Sequence, residues 1–512
     1  MILLKRKNYI EIGTKISYYN LYCQKISSLK KRHLIDKSLV RTDDKNMVFA
    51  NLFFLYLFLP LNLILYFSTK NRAFRNAVLI FFSLFFYAWG EPVWITLLIF
   101  SATIDYFHGL LIEKYRGKIG AKLALISSLV LNLGLLGIFK YSGFFVENIN
   151  FLTGLSLPVP AFSLPIGISF YTFQTLSYTI DVYKGNVEPQ HNYMKYFMYV
   201  SLYAQLVAGP IVRYIDVARE VNDRQETLDD IWAGTARFLV GLTKKVFIAN
   251  VAGQFAETYL TGDLTKQTTA AVWFGVLMFS IQIYYDFSGY SDMAIGLGRI
   301  FGFHFLENFN YPYIARSATE FWRRWHMSLG GFFRDYVYIP LGGNRKHQIL
   351  NLFIVWFLTG FWHGASWNFI VWGLWFGVLI IIEKFFLLKW LKKLPVISNI
   401  YLLFIAVMGW VMFYFEDMGR MFDCFGVMFG AKGAGLWDVS LEITLQNNIF
   451  WIIAAVAFCM PIVPTVKKFI ENRPKLQMPA KVLMIPANAV MLILNTALLV
   501  GMSYNPFLYY KF

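Results

Sequence analysis

Residues Ile349–Ile382 read ILNLFIVWFLTGFWHGASWNFIVWGLWFGVLIII: thirty-four residues without an Asp, Glu, Lys or Arg, with His363 as the one ionisable side chain of the familiar kind. A continuous helix of that length would measure ~51 Å at ~1.5 Å per residue, well beyond the ~30 Å of a bilayer's hydrocarbon. A break is therefore expected. The segment 359–368, TGFWHGASWN, supplies it, with Gly360, Gly364, Ala365 and Ser366 flanking the histidine. His363 then sits where two helical pieces meet, buried against protein or a cavity. A lone buried histidine is ordinarily a satisfied core residue. Here small neighbours leave room beside the imidazole, and an arginine-rich stretch precedes it. A neutral imidazole in such a place is the form a general base needs to take a proton from a hydroxyl.

The rest of the chain agrees with a membrane setting. Its 512 residues are 57% hydrophobic and 19% aromatic, and only 15% are charged, too few to cover the surface of a soluble protein of this size. The same figures exclude disorder and a small disulfide scaffold. Apolar segments recur at about 77–90, 93–112, 122–140, 160–180, 195–212, 232–255, 269–301, 349–382, 399–415, 448–464 and 481–503, after a first one that begins at Met47. Some are short and some long, which predicts roughly eleven or twelve transmembrane helices with re-entrant or interfacial pieces, in an all-α polytopic membrane protein. No internal repeat or soluble domain is visible.

Residues 1–46 read differently. They hold eleven Lys/Arg against four Asp/Glu, and they lack the apolar core and cleavage site of a secretory signal. A basic leader followed by one span and a basic loop (Lys70, Arg72, Arg75) conflicts with the positive-inside preference. Starting at Met47 removes the conflict, so 1–46 is expected to be an upstream extension and 47–512 a single transmembrane domain. The net charge of +17 is that of loops facing anionic headgroups, and no nucleic-acid motif accompanies it. Three scattered cysteines make neither a disulfide framework nor a metal site.

Ionisable residues inside apolar segments are costly and default to functional candidates. Asp105 and Asp181 read as caps or packing carboxylates. Asp286 lies in IQIYYDFSGYSDMAIG, where Gly289 and Gly296 are expected to loosen the helix, and a cavity wall is an equal alternative for it. The densest polar stretch is Tyr311–Gln348, with Arg316, Arg323, Arg324, Arg334, Arg345 and Lys346 against Glu320 and Asp335. It is too charged to span lipid and too aromatic for a solvated loop, so it reads as interfacial or re-entrant. His326 lies within it, either in an aromatic belt at headgroup level or in a cationic vestibule for an anionic substrate. No GxSxG, P-loop, HExxH or paired-Cys signature competes with the two histidines. A thioester is already activated, so one base and a polarising group suffice for acyl transfer, without a metal, a bound cofactor or a covalent nucleophile.

Long strings then become familiar: LPIGISFYTFQTLSYTIDVYKG at 164–185, AGPIVRY at 208–214, YYDFSGYSDMAIGLGRIFGF at 284–303, FWRRWHMSLGGFFRDYVYIPLGGN at 321–344, TGFWHGASWNFIVWG at 359–373, and the terminal YNPFLYYKF. From Met47 to Phe512 the chain resembles the membrane-bound O-acyltransferase family, in its bacterial alginate O-acetylation branch. That resemblance implies a funnel of helices, with His363 as the family's intramembrane histidine and His326 as its second, upstream polar residue. Arg323, Arg324, Arg334, Asp286, Asn344 and Trp362 are the substrate-binding candidates. It also implies an acyl group, acetyl above all, taken from acetyl-CoA or an acyl carrier protein thioester and passed toward the outer face of a bacterial cytoplasmic membrane. An extracytoplasmic acyltransferase partner would complete polysaccharide O-acetylation. Related branches acetylate peptidoglycan or D-alanylate teichoic acid. A polysaccharide or lipid-linked sugar transporter, or an assembly scaffold, would be a rival of another class. Sidedness follows from charge: loops 68–76, 113–122 and 343–347 are expected to be cytoplasmic, with 313–348 opening inward.

Overall fold

Thr269–Ile300 is a single helix of 32 residues, and most of its side chains are buried on every side. In the computed structural model, which describes residues 47–207, 209–502 and 507–508, Leu228–Thr243, Asn250–Leu260 and Pro395–Tyr414 are among the helices that pack against it. The leader 1–46 lies outside the described residues. A helix apolar all round belongs inside a protein, and here 83% of the most apolar stretch of Thr269–Ile300 is covered by other helices.

Gly289 and Gly296 do not loosen this helix. A Cβ on Gly289 would lie 2.8 Å from the carbonyl oxygen of Gly241, and one on Gly296 would lie 2.6 Å from that of Gly234. Reciprocally, Cβ atoms on Gly234 and Gly241 would meet the Gly296 and Gly289 carbonyls at 2.6 and 2.5 Å. Two pairs of glycines, each two helical turns apart, thus let the backbones of Leu228–Thr243 and Thr269–Ile300 touch. Small residues are the usual means of close approach where lipid offers no hydrophobic drive between helices.

Among the described residues every regular element is helical, and eight helices are long and apolar enough to cross a bilayer. Besides the central one they are Arg72–Gly90, Ile95–Lys114, Ile119–Thr153, Trp367–Leu391, Pro395–Tyr414, Val439–Ala457 and Pro474–Gly501. Phe54–Phe67 and Gln348–His363 are shorter apolar helices. The difference from eleven or twelve expected crossings lies in four runs: the first is the shorter helix Phe54–Phe67 and the 160–180 run holds the 17-residue, largely buried Ile168–Lys184, and two more depart further. The 195–212 run is built as the short buried helices Tyr193–Ser201 and Tyr203–Leu206 and an extended segment. The 232–255 run carries Arg237, Lys244 and Lys245, whose charges are met inside the protein, so it has no need of an apolar surface throughout. Arg237 and Lys244 both reach Asp292 at 2.6 Å.

Other charges are likewise consumed by packing. Asp105 accepts hydrogen bonds from Ser128 Oγ and Asn132 Nδ2, both at 2.7 Å, and lies 3.2 Å from His108 Nδ1. Asp181 accepts from Tyr336 Oη at 2.6 Å, tying Ile168–Lys184 to the arginine-rich stretch. Arg72 and Arg75 of the first basic loop both pair with Glu226. Burial opposes ionisation of Glu226, but hydrogen bonds from Arg72 and Tyr66 and the two arginine charges outweigh it, so its carboxyl is held below the usual range.

Gly296→Leu is expected to lower the thermal unfolding midpoint in detergent, because overpacking a tight contact costs about 1–3 kcal/mol or more. Gly134→Leu, where an added Cβ meets nothing within 4 Å, should leave the midpoint unchanged. Equal midpoints for the two variants would refute the role given to the glycine crossing.

Candidate active site

The apolar run that contains His363 is a helical hairpin. Gln348–His363 stops at Gly364, whose backbone is extended (φ −166°, ψ 153°), and a new helix begins at Trp367. Glycine is required at the break and along the hairpin. A Cβ on Gly364 would fall 2.2 Å from the Phe369 ring, and one on Gly360 would fall 2.3 Å from the Phe369 carbonyl oxygen. The two arms therefore press together, and His363, at the C-terminal end of the first, is only 3% exposed. Its imidazole is boxed edge-on by Trp362 and Trp372, each 4.9 Å away between ring centroids, and by Phe413 at 5.3 Å. Nδ1 is buried and has no hydrogen-bond partner among the described residues.

His326 precedes the short helix Met327–Phe333 and holds a left-handed backbone conformation (φ 46°, ψ 53°) that non-glycine residues seldom adopt. Asn308, fully buried, holds it there. Asn308 Oδ1 accepts from Ser328 N at 3.2 Å and from Ser328 Oγ at 2.9 Å, and it faces His326 Nδ1 at 3.2 Å. The backbone carbonyl of Asn308 accepts from Met327 N, and its Nδ2 donates to Ser291 Oγ on the central helix. With Oδ1 as acceptor, His326 carries its proton on Nδ1 and keeps the Nε2 lone pair, the tautomer set by the partner of the other nitrogen. The Trp362 ring contacts both histidines, 6.0 Å from His326 and 4.9 Å from His363.

A cavity of about 430 Å³ opens beside His326. Its lining includes buried His326 and Trp325, the partly buried Trp322, and Thr359 one turn before His363, together with exposed Arg323, Arg334, Asn344 and Lys384. The aromatic groups are buried and the cations are at the surface. Glu383 fixes the relation between the two: it accepts from Thr319 N and Thr319 Oγ1, both at 2.9 Å, and anchors the start of Ala318–Trp322. Lys384 Nζ donates to Asn344 Oδ1 at 3.0 Å, which also accepts from Tyr338 Oη at 2.7 Å. Arg334 pairs with Asp335 at 2.7 Å, and Arg213 meets the same carboxylate at 2.8 Å. Burial opposes ionisation of Asp335, yet the hydrogen bond and charge of Arg334 and the nearby Arg213 hold its carboxyl below the usual range. Arg323 has no ion pair among the described residues.

Of the residues singled out from sequence, His326, Arg323, Arg334 and Asn344 line this cavity, whereas His363 and Trp362 do not. Two candidates lie elsewhere. Arg324 is turned back on Glu320 at 2.9 Å and donates to the Asn310 carbonyl at 3.2 Å. Asp286 does not line this cavity: it pairs with buried Lys245 at 2.6 Å and accepts from Leu508 N at 2.8 Å, tethering the C-terminal segment to the central helix. Sequence reasoning passed over Lys384, which reads only as the polar end of an apolar run, and Asn308, which carries no local signal of its role.

A polytopic helical bundle with two buried histidines, His363 at a helix break and His326 lining a cation-rimmed cavity, is the framework of a membrane-embedded group-transfer enzyme. The chain belongs to the membrane-bound O-acyltransferase family, which residues 188–415 match, and it is a multi-pass membrane acyltransferase. It is 40% identical over 406 residues to the probable alginate O-acetylase AlgI of Pseudomonas aeruginosa, covering 77% of this chain and 76% of that protein. The peptidoglycan O-acetyltransferase of Helicobacter pylori is 33% identical over 443 residues, covering 77% and 82%. The teichoic acid D-alanyltransferase of Bacillus subtilis is 31% identical over a shorter 247 residues, covering 44% and 60%.

Asn308→Ala should strand the partly buried Ser328 and buried His326 donors, at a cost on the order of 1–3 kcal/mol. Turnover is expected to fall while the protein still inserts, checked by acyl-transfer assay on purified protein of matched fold. Undiminished turnover would show that His326 needs no such support.

Proposed function

We propose that the protein takes an acetyl group from a cytoplasmic thioester and transfers it toward a cell-surface polysaccharide hydroxyl, with His363 as general base and His326 as the second polar group of the site. The observation that carries this reading is the pair of buried histidines, His363 at a helix break and His326 on a cavity that joins exposed cations to buried aromatics, with the Trp362 ring in contact with both. Arg323, Arg334 and Lys384 suit the phosphates of acetyl-CoA or of a carrier-protein prosthetic arm, and Asn344 holds Lys384 in place. The thioester would lie along the aromatic wall with its carbonyl near His326. A hydroxyl loses its proton to the His363 imidazole as its oxygen attacks the carbonyl carbon. The carbon–sulfur bond breaks, the carbon–oxygen ester bond forms, and the proton passes from the imidazolium to the departing thiolate. No metal or covalent enzyme intermediate enters this balance.

Polysaccharide is preferred as the acceptor class because the relatives 40% identical to this chain are named alginate O-acetylases. The peptidoglycan O-acetyltransferase similarity supports a second reading in which the acceptor is peptidoglycan. In either case the protein would work in the bacterial cytoplasmic membrane and hand the acetyl group to an extracytoplasmic acyltransferase partner.

In a null strain complemented with His363→Ala, acetylation of extracellular polysaccharide and of peptidoglycan, each quantified by ester hydrolysis, decides function and acceptor together. Loss of ~10²–10⁴-fold in one polymer is the scale of a missing general base; near-normal acetyl content from a well-expressed variant would sink the assignment. His326→Asn, whose side chain tolerates a left-handed backbone better than alanine, should be as impaired as His326→Ala if the imidazole matters. Arg323→Ala is expected to raise the apparent donor KM more than it lowers kcat. Sidedness is checked with single cysteines at Ser68, Lys118 and Asn344 in a Cys-free background. An impermeant thiol reagent that labels Asn344→Cys but not Lys118→Cys in intact cells would place the cation-rimmed mouth on the outside and defeat the transfer scheme.

A further inference from the structure

A helix ending at membrane depth leaves its last four carbonyls without partners, and no water is at hand to bond them. In Gln348–His363 those carbonyls belong to Gly360, Phe361, Trp362 and His363, and all four are accounted for. Gly360 O accepts from Gly364 N at 3.4 Å. Phe361 O accepts from Tyr141 Oη at 2.9 Å, with the Tyr141 and Phe361 rings stacked 4.1 Å apart. Trp362 O accepts from Lys140 Nζ at 2.5 Å, and His363 O lies 3.4 Å from the same ammonium. The third donor of Lys140 points to Ser169 Oγ, 3.4 Å away on Ile168–Lys184. An ammonium has three donors, and these three acceptors occupy them all. The ammonium also stands 5.7 Å from the Trp362 ring centroid, within cation–π range.

Lys140 and Tyr141 close a π-helical turn, Gly137–Tyr141, inside the long helical stretch Ile119–Thr153. Such widened turns recur at functional sites. Lys140 is also the one charged residue between Lys122 and Glu147, a costly placement for a cation that only anchored lipid. Its charge falls at the C-terminal end of a helix, where the macrodipole favours a cation.

We propose that Lys140, with Tyr141 beside it, is a positioning residue of the acyl-transfer site: together they cap the helix that ends in His363 and fix Trp362 and the catalytic imidazole relative to His326. This rests on the reading of His363 as the base. Lys140 does not touch the acyl group and exchanges no proton with it, since its donors are all engaged by the protein. It lies outside the segment 188–415 that matches the family.

The test compares full-length Lys140→Met, Lys140→Arg, Tyr141→Phe and His363→Ala, purified in detergent, in acetyl-CoA turnover measured per folded molecule alongside thermal midpoints. Methionine keeps length and apolar bulk but removes every donor. Misplacement of a reacting group by about 1 Å costs up to ~10²-fold, so Lys140→Met should lower kcat about 10- to 100-fold with donor KM unchanged. Lys140→Arg, which restores charge and donors, should fall between it and wild type. Tyr141→Phe keeps the stacked ring and should lower kcat several-fold at an unchanged midpoint. A wild-type kcat in Lys140→Met, or a lower midpoint with kcat per folded molecule intact, would overturn the proposal. Should Lys140→Met fail to insert, Tyr141→Phe decides, and an unchanged kcat there overturns it. An active His363→Ala would instead remove the reading of His363 as base, whatever the Lys140 variants do.

Discussion

Backbone polar groups at membrane depth must find partners within the protein, and the arrangement around His363 answers that demand. A histidine placed at a helix end leaves the last carbonyls of that helix without intrahelical partners. Those carbonyls are met by side chains from Ile119–Thr153 and by the amide that follows. Glycines at 360, 364 and 373 let the second arm fold back at backbone contact: a Cβ on Gly373 would lie 2.4 Å from the Trp356 carbonyl oxygen. Aromatic rings then fill the space around the imidazole. Break, cap and aromatic box are consequences of one another.

Charge is used in two ways. Inside the bundle each carboxylate is matched to a specific donor: Asp286 to Lys245, Asp292 to Arg237 and Lys244, and Asp105 to Ser128 and Asn132. Breaking such pairs would leave a buried charge uncompensated, so they hold helices in register rather than serve chemistry. At the cavity the balance is different. Arg323, Arg334 and Lys384 bring three cations to the mouth, and the one carboxylate bound to them among the described residues, Asp335, is shared between Arg334 and Arg213. Excess positive charge at the rim and aromatic surface within suit a ligand that is anionic at one end and uncharged at the other.

His326 joins these two regimes. It lines the cavity, yet its backbone conformation and tautomer are dictated by Asn308, which is bonded in turn to the central helix through Ser291. The long buried helix therefore acts as a datum for one histidine, while the capped hairpin sets the other. Trp362 and Phe173 bind the two parts: Phe173 stacks on Phe332 at 4.0 Å and on Trp362 at 5.6 Å.

Much of this was written locally and could be read there. An apolar run too long for one span, interrupted by glycine and a histidine, determined the break and its residue, because helix length and hydrocarbon thickness are fixed quantities. Composition determined the all-helical membrane class, and the crowding of arginine with tryptophan marked the cavity's stretch. Tertiary structure decided what spacing cannot express. Gly289 and Gly296 look like weak points in one helix, but they are contact points between two, since a missing Cβ matters only through what approaches it. Asp286 and Arg324 look like ligand groups, yet the neighbours that neutralise them, Lys245 and Glu320, come from the fold. Asn308, Lys140 and Lys384 gain their places through partners 18 to 223 residues away in sequence. A hydrogen bond's value depends on where its two ends are brought in space, and only the packed chain fixes that.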